Sequence, residues 1–259
     1  MFRVRIAGLA GLLAIVAGSP VLAQDKKEKL HALNVDLGFV NASGNTSGTT
    51  LNLGDKFVAS TQDKRVIFTQ VFNVVRSQTD GVKNTENYRA QLRFDYGLGG
   101  NVYLYGLTGW DRNVFAGVSR RLEETIGLSY KALSLPNDAL TVEAGLSRFQ
   151  QRNVVAAAGG SLDDNFTAGR LADLYRRTLS GASFLTQSLE LIPNFDDGKD
   201  FRLNSESALV APISTRVGLK LGYSIRYDNL PGLRPPPNTS EARFKKTDRF
   251  LTAGISIAY

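Results

Sequence analysis

The chemistry-bearing side chains of this chain are few: one His, one Met and no Cys among 259 residues, against 31 Lys and Arg and 24 Asp and Glu. Without cysteine there are no disulfides, thiolate metal sites, thiol nucleophiles or cysteine-linked lipids. His31 has no Ser or acidic partner at a spacing that a Ser-His nucleophile arrangement would use, so no catalytic residue is assigned and the chain reads as a non-enzyme. The glycine-rich SGNTSG at 43–48 lacks the Lys and the following helix of a phosphate cradle and reads as a strand connection. Asp196, Asp197 and Asp200 surround Gly198, but these acids fall short of the roughly six to eight oxygen ligands that calcium takes, which leaves a solvated turn. Neither a metal nor a cofactor is expected.

The remaining charges recur at a spacing of two. Arg89, Arg93 and Asp95 alternate with Tyr88, Ala90, Leu92, Phe94 and Tyr96, and Lys220, Arg226 and Asp228 alternate with Leu219, Leu221, Tyr223, Ile225 and Tyr227. This is the pattern of a strand with one polar and one apolar face. Reading every polar face the same way collects Arg89, Arg93, Asp95, Glu143, Glu190, Arg202, Glu206, Lys220 and Arg226 as candidate lumen-lining residues, with Asp36, Lys56, Glu123, Lys131 and Asp228 beside them. Both signs are mixed, so the set suits either a narrow water-filled path or a lumen cross-linked by ion pairs.

Positioning such residues requires many strands. Alternating segments between Gly, Pro, Asn and Asp clusters give about twelve: 31–41, 49–59, 65–77, 85–97, 101–112, 121–132, 139–150, 165–177, 182–194, 201–211, 215–228 and 247–259. Segments 121–132 and 165–177 alternate least well, with Glu124 among Leu122, Ile126 and Leu128, and with Arg170 and Arg176 opposed to Asp173. Connections alternate between short (near 60–64, 98–100, 133–138, 178–181 and 212–214) and long (near 42–48, 78–84, 113–120, 151–164 and 229–246), 195–200 being a short member of the long set. Transmembrane barrels have this asymmetry, with short periplasmic turns and long external loops.

The fold expected is therefore all-β, a closed antiparallel up-and-down transmembrane β-barrel of about twelve strands. The domain plan is a signal peptide over 1–23, a short periplasmic segment over 24–30 and the barrel over 31–259. Arg3 and Arg5 precede the apolar run from Ile6 to Gly18, which is shorter than the roughly 20 residues a spanning helix needs and is followed by a Val21-x-Ala23 cleavage pattern. Losing those arginines with the leader lowers the formal net charge of +7 to +5. No basic cluster alternates with stacking aromatics, so nucleic acid is excluded as a partner.

Aromatics divide into two sets near the strand ends. Phe57, Tyr96, Tyr103, Tyr130, Tyr175, Phe184 and Tyr259 fall at the short-turn end, and Tyr88, Trp110, Phe149, Phe195, Phe201, Tyr227 and Phe250 at the long-loop end. These are the expected interfacial girdles. At the carboxy terminus Tyr259, Ile257, Ile255, Ala253 and Leu251 alternate with Ala258, Ser256, Gly254 and Thr252, and the chain ends on an aromatic ring. This resembles the sorting strand of Gram-negative outer-membrane proteins, which implies that the barrel-assembly machinery reads Tyr259, Ile257 and Ile255.

The chain also resembles a family, the domain-of-unknown-function group described as salt-induced outer-membrane proteins. The segments that carry the resemblance are SGNTSGTTLNLGDK at 43–56, ENYRAQLRFDYGLGGNVYLYGLTGWDRNVF at 86–115, SFLTQSLELIP at 183–193, FRLNSESALVAPISTRVGLKLGYSIRYDNLPG at 201–232 and KKTDRFLTAGISIAY at 245–259. It covers essentially the whole mature chain, has no catalytic signature, and implies an outer-membrane barrel. The partners expected are outer-membrane lipid and lipopolysaccharide, the assembly machinery, and small solutes or ions; Arg234, Arg243, Lys245 and Lys246 in the last long connection suit either anionic headgroups or simple solubility. The leading functional expectation is a small passive, porin-like channel or an envelope stress and integrity protein of the Gram-negative outer membrane. The alternative is a soluble periplasmic β protein that binds a small ligand.

Overall fold

The computed structural model describes residues 30–43, 48–79, 82–156, 159–179, 183–235 and 242–258. The leader, the 24–29 segment, most of SGNTSG and Tyr259 lie outside the described residues. The strands are β1 (His31–Ser43), β2 (Gly48–Ser60), β3 (Val66–Thr79), β4 (Val82–Gly99), β5 (Val102–Asn113), β6 (Val118–Ser134), β7 (Asp138–Asn153), β8 (Asp163–Thr178), β9 (Phe184–Pro193), β10 (Phe201–Pro212), β11 (Val217–Asp228) and β12 (Thr247–Ala258). Each pairs antiparallel with its neighbours in sequence, and β1 pairs with β12 through Val35 with Ile257 and Leu37 with Ile255, so no sheet edge is left. Closure is what makes a sheet viable in hydrocarbon, where an unpaired backbone group has no water to bond.

The distribution of side chains is inverted relative to a water-soluble protein. Phe39, Ile126, Leu146, Leu219 and Phe94 are more than half exposed, whereas Asp95, Arg170 and Arg202 are each below a tenth exposed. Hydrocarbon solvates the first group and the interior satisfies the second. Period-two alternation holds through the two irregular segments as well: both are strands, with Glu124 and Asp173 on the outer face and Arg170 and Arg176 on the inner one.

Three expectations need correction. The connection near 78–84 is not long, because β3 and β4 stay paired as far as Thr79 and Val82. The connection near 113–120 contracts to a single 3-10 turn, Val114–Ala116, closed by Gly117 in the left-handed region at φ 88°. The aromatic sets mix two environments: Phe57, Tyr96, Tyr130, Tyr175, Tyr88, Trp110, Phe201 and Tyr227 share the outer face, but Tyr103, Phe149, Phe184 and Phe250 fall on the inner one. Strand ends alone cannot assign a ring to a girdle; parity along the strand decides it.

Candidate functional site

The interior is organised by one rung of directly paired residues, Asp95 on β4, Tyr105 on β5, Gly127 on β6, Gly145 on β7 and Arg170 on β8. The two glycines let the Tyr105 ring lean across β6 and β7, since a Cβ at Gly127 or Gly145 would stand 2.7 or 2.6 Å from the tyrosine oxygen. Tyr105 is fully buried, and its hydroxyl accepts a hydrogen bond from Arg170 Nη1 at 3.0 Å. Around it runs a chain of charge-assisted contacts. Arg93 Nη2 meets Asp95 at 2.6 Å, Arg93 Nη1 meets Glu143 at 2.8 Å, Arg170 Nη1 meets the other Glu143 oxygen at 2.6 Å, and Arg170 Nε meets Glu190 at 2.7 Å. Asn204 Nδ2 donates to the second Glu190 oxygen at 2.8 Å, carrying the chain to β10. The Arg93 guanidinium lies 4.2 Å over the Tyr105 ring. Every charge here has an opposite partner, the condition under which buried ions are tolerated.

Toward the short-turn end the interior is wetter. Lys56, Glu206 and Arg176 point inward yet are solvent-exposed, as is Leu174. Lys220 on β11 reaches over Gly254 of β12 to Asp36 of β1 at 2.5 Å, an ion pair that spans the closure of the barrel. Gly254 faces Gly38 there, and a Cβ at Gly254 would collide with the Leu37 carbonyl oxygen.

Toward the long-loop end lies a cavity of about 110 Å³ whose lining includes Arg89, Arg202, Arg226, Glu123, Asp228 and Lys246. Arg202 is held 3.4 Å from Asp228 and 4.9 Å from the Phe166 ring centroid, and Phe166 stacks on Phe149 at 4.9 Å. Arg89 and Arg226 differ from every arginine of the central network: among the described residues neither side chain makes an ion pair or hydrogen bond, although Asp111 and Asp248 are their direct cross-strand neighbours, and the Arg226 guanidinium lies 5.7 Å from the Phe250 ring centroid.

The described parts of the 229–246 connection, 229–235 and 242–246, border this mouth. They are joined by a bridge between Leu233 and Arg243 and by hydrogen bonds from Arg234 N to Ala242 O and from Phe244 N to Gly232 O. The Phe244 ring rests on Gly117, where a Cβ would meet it at 3.0 Å; Gly117 follows β5, halfway round the barrel from β11 and β12. Lys245 and Lys246 line the cavity, Arg243 donates to the Pro231 carbonyl and the Arg234 guanidinium lies 5.7 Å from the Phe244 ring centroid, so this basic set closes the loop onto the mouth.

All nine candidate lumen residues fall on the inner face, but in three different roles. Arg93, Asp95, Glu143 and Glu190 join the central network, Glu206 and Lys220 belong to the wet half, and Arg89, Arg202 and Arg226 line the outer cavity. Tyr105 and Arg170 were not among the candidates. Their signal was the pair of glycines at the corresponding positions of β6 and β7, visible only once register is known. Ile257 and Ile255 are on the outer face beside Val35 and Leu37. The three acids of 195–200 point at separate donors, Asp196 at Thr167 N, Asp197 at Lys199 N and Asp200 at Asn194 Nδ2, and so close a turn; His31 is exposed at the start of β1.

A closed antiparallel barrel, apolar outside and charged within, is a transmembrane β-barrel of porin-like architecture. The chain belongs to the family described as Protein of unknown function, DUF481, whose model matches residues 35–259. It is 24% identical over 207 residues to the uncharacterized protein YdiY of Escherichia coli (strain K12), across 80% of this chain and 77% of that one. Among solved structures it is similar to the NanC porin, with a TM-score of 0.53 and 11% identity over 86% of this chain and 98% of that one. It is likewise similar to the translocator domain of the autotransporter NalP from Neisseria meningitidis, with a TM-score of 0.51 and 14% identity over 90% of each chain. At these identities the likeness is one of fold.

Proposed function

We propose that the mature chain, exported with residues 1–23 removed, is a narrow passive channel of the Gram-negative outer membrane that favours small anions and has no catalytic role. The observation that carries this reading is the pair Arg89 and Arg226, two guanidiniums outside ion-pair distance of the acids that share their cavity at the external mouth, above a central network in which every charge is matched. Fixed charge in a constriction concentrates the opposite ion and sets selectivity. Mixed charges further in neutralise one another and narrow the path without adding a second sign preference. The exposed aliphatic outer face speaks against the soluble ligand-binding alternative, since a patch of that size in water drives aggregation.

The test is a planar-bilayer recording of the refolded protein under a salt gradient. Discrete conductance with a reversal potential on the anion side is expected. Heat-modifiable, folded protein that never conducts at either polarity overturns the channel and leaves a structural role in the envelope.

A further inference from the structure

We propose that the outer surface between β4 and β8 is a binding site for a phosphorylated, multiply acylated glycolipid of the outer leaflet. This needs the barrel to lie in a bilayer with its loops outward, but not that it conducts.

The outer-face rung Phe68, Phe94, Gly106, Ile126, Leu146 and Gly169 has a gap at Gly106, where an added Cβ would meet nothing within 4 Å. Phe94 and Leu92 stand on one side of the gap and Ile126 and Leu146 on the other, at 51%, 46%, 59% and 59% exposure. Together they bound an apolar groove of about 630 Å³. An ordinary barrel exterior is convex and close-fitted to disordered lipid tails; a concavity of this size, within the ~300–1,000 Å³ range of small-molecule sites, suits an ordered chain.

The loop-end side of the same groove is charged. The next rung is Leu92, Thr108, Glu124, Arg148 and Thr167, and two rungs further Arg112 faces outward beside Tyr88 and Arg120 outward beside Arg152. The side chains of Arg112, Arg120 and Arg148 make no ion pair or hydrogen bond among the described residues, although Glu124 is the direct cross-strand neighbour of Arg148. A charge on the lipid face is costly at the bilayer midplane and less so toward the interface, and these three lie on the loop-end half of the strands, within reach of the headgroups for a long side chain. Arg148 at the rim of the apolar slot, with Arg112 and Arg120 two rungs beyond it on the same face, matches phosphate above acyl chain: the fork binds phosphate oxygens bidentately and the groove takes the hydrocarbon. The Glu124 carboxylate disfavours a second anion lower in the slot and thereby sets the depth at which the phosphate stops.

The test uses the full mature chain folded in detergent, with bis-phosphorylated hexa-acyl lipid A as probe and its dephosphorylated form and phosphatidylglycerol as comparators, read by native mass spectrometry. Bis-phosphorylated lipid A should bind wild type in a discrete stoichiometry and in preference to both comparators. Replacing Arg112, Arg120 and Arg148 together with Gln should weaken it about tenfold or more, as loss of charge-assisted contacts worth ~1.4 kcal/mol or more would. Gly106→Leu fills the gap without touching a charge and should weaken binding as well, while heat-modified electrophoretic mobility reports that both variants fold. Equal binding of phosphatidylglycerol, or binding unchanged in either folded variant, overturns the proposal. Because the readout is lipid retention in detergent, its failure is separate from any failure to conduct.

Discussion

Arg170 donates to the hydroxyl of Tyr105 at 3.0 Å although two whole strands lie between them, because Gly127 and Gly145 occupy the intervening positions of the same rung. The interior network depends on that gap. Arg170 supplies the only cation common to Glu143 and Glu190 among the described residues, so the barrel wall from β7 to β9 is tied through one guanidinium.

Arg170→Gln should therefore cost about 3–5 kcal/mol, the range for removing one partner of a buried pair. Tyr105→Phe removes a single hydrogen bond and should cost only about 0.5–1.5 kcal/mol. Urea titration of the folded barrel in lipid vesicles, followed by tryptophan fluorescence and gel mobility, measures both. A smaller effect for Arg170→Gln than for Tyr105→Phe would remove the arginine from the centre of the network.

Gly145→Ala tests the gap itself. The new Cβ would lie 2.6 Å from the Tyr105 oxygen and 2.9 Å from the Ile126 carbonyl oxygen. A loss of roughly 1–3 kcal/mol is expected from the overpacking. Adding Tyr105→Phe should return part of it, since the nearest clashing atom is then absent, and strictly additive losses in the double variant would show that the ring does not rest on Gly145.

Arg89→Gln with Arg226→Gln should leave stability within about 1 kcal/mol of wild type, because neither side chain is within ion-pair distance of the acids around the cavity. The reversal potential under a salt gradient should move toward the cation side. Arg93→Gln is the contrast: it strands Asp95 and leaves Glu143 to Arg170 alone, so stability falls whatever happens to selectivity. A reversal potential unmoved by the double substitution would relocate the selective step.

Phe244→Ala removes the ring that seats the long loop on Gly117. Conductance should rise and its flicker should lengthen, with the melting transition nearly unchanged, because the contact lies at the mouth and not in the wall. Single-channel recording against wild type decides the point; identical traces would show that the loop does not limit the path.

Ile257→Asp places a charge on the outer face of the closing strand, at ~2–4 kcal/mol near the midplane and less near the interface, whereas Ser256→Asp points inward beside Asp36 and Gly218. Outer-membrane yield should drop more for Ile257→Asp. Equal yields would reverse the assigned facing of β12.

Strand number, closure and the polarity of each face were legible in the chain because a side-chain period of two is a local property, and a strand cannot slip by one residue without exchanging its whole apolar set for its polar one. That is why the chain alone places Arg89, Arg93, Asp95, Glu143, Glu190, Arg202, Glu206, Lys220 and Arg226 on one side. Which charge meets which could not be read, since partners such as Lys220 and Asp36 are 184 positions apart and are brought together only by the closure of β12 on β1. Arg89 and Arg93 look equivalent along β4, and only the shear of the barrel puts one in contact with Glu143 and leaves the other facing a cavity outside ion-pair distance of its acids. The same holds for the empty place at Gly106 and the leaning ring of Tyr105. A glycine in a strand says that something large is nearby or that nothing is, and the register of three neighbouring strands decides which.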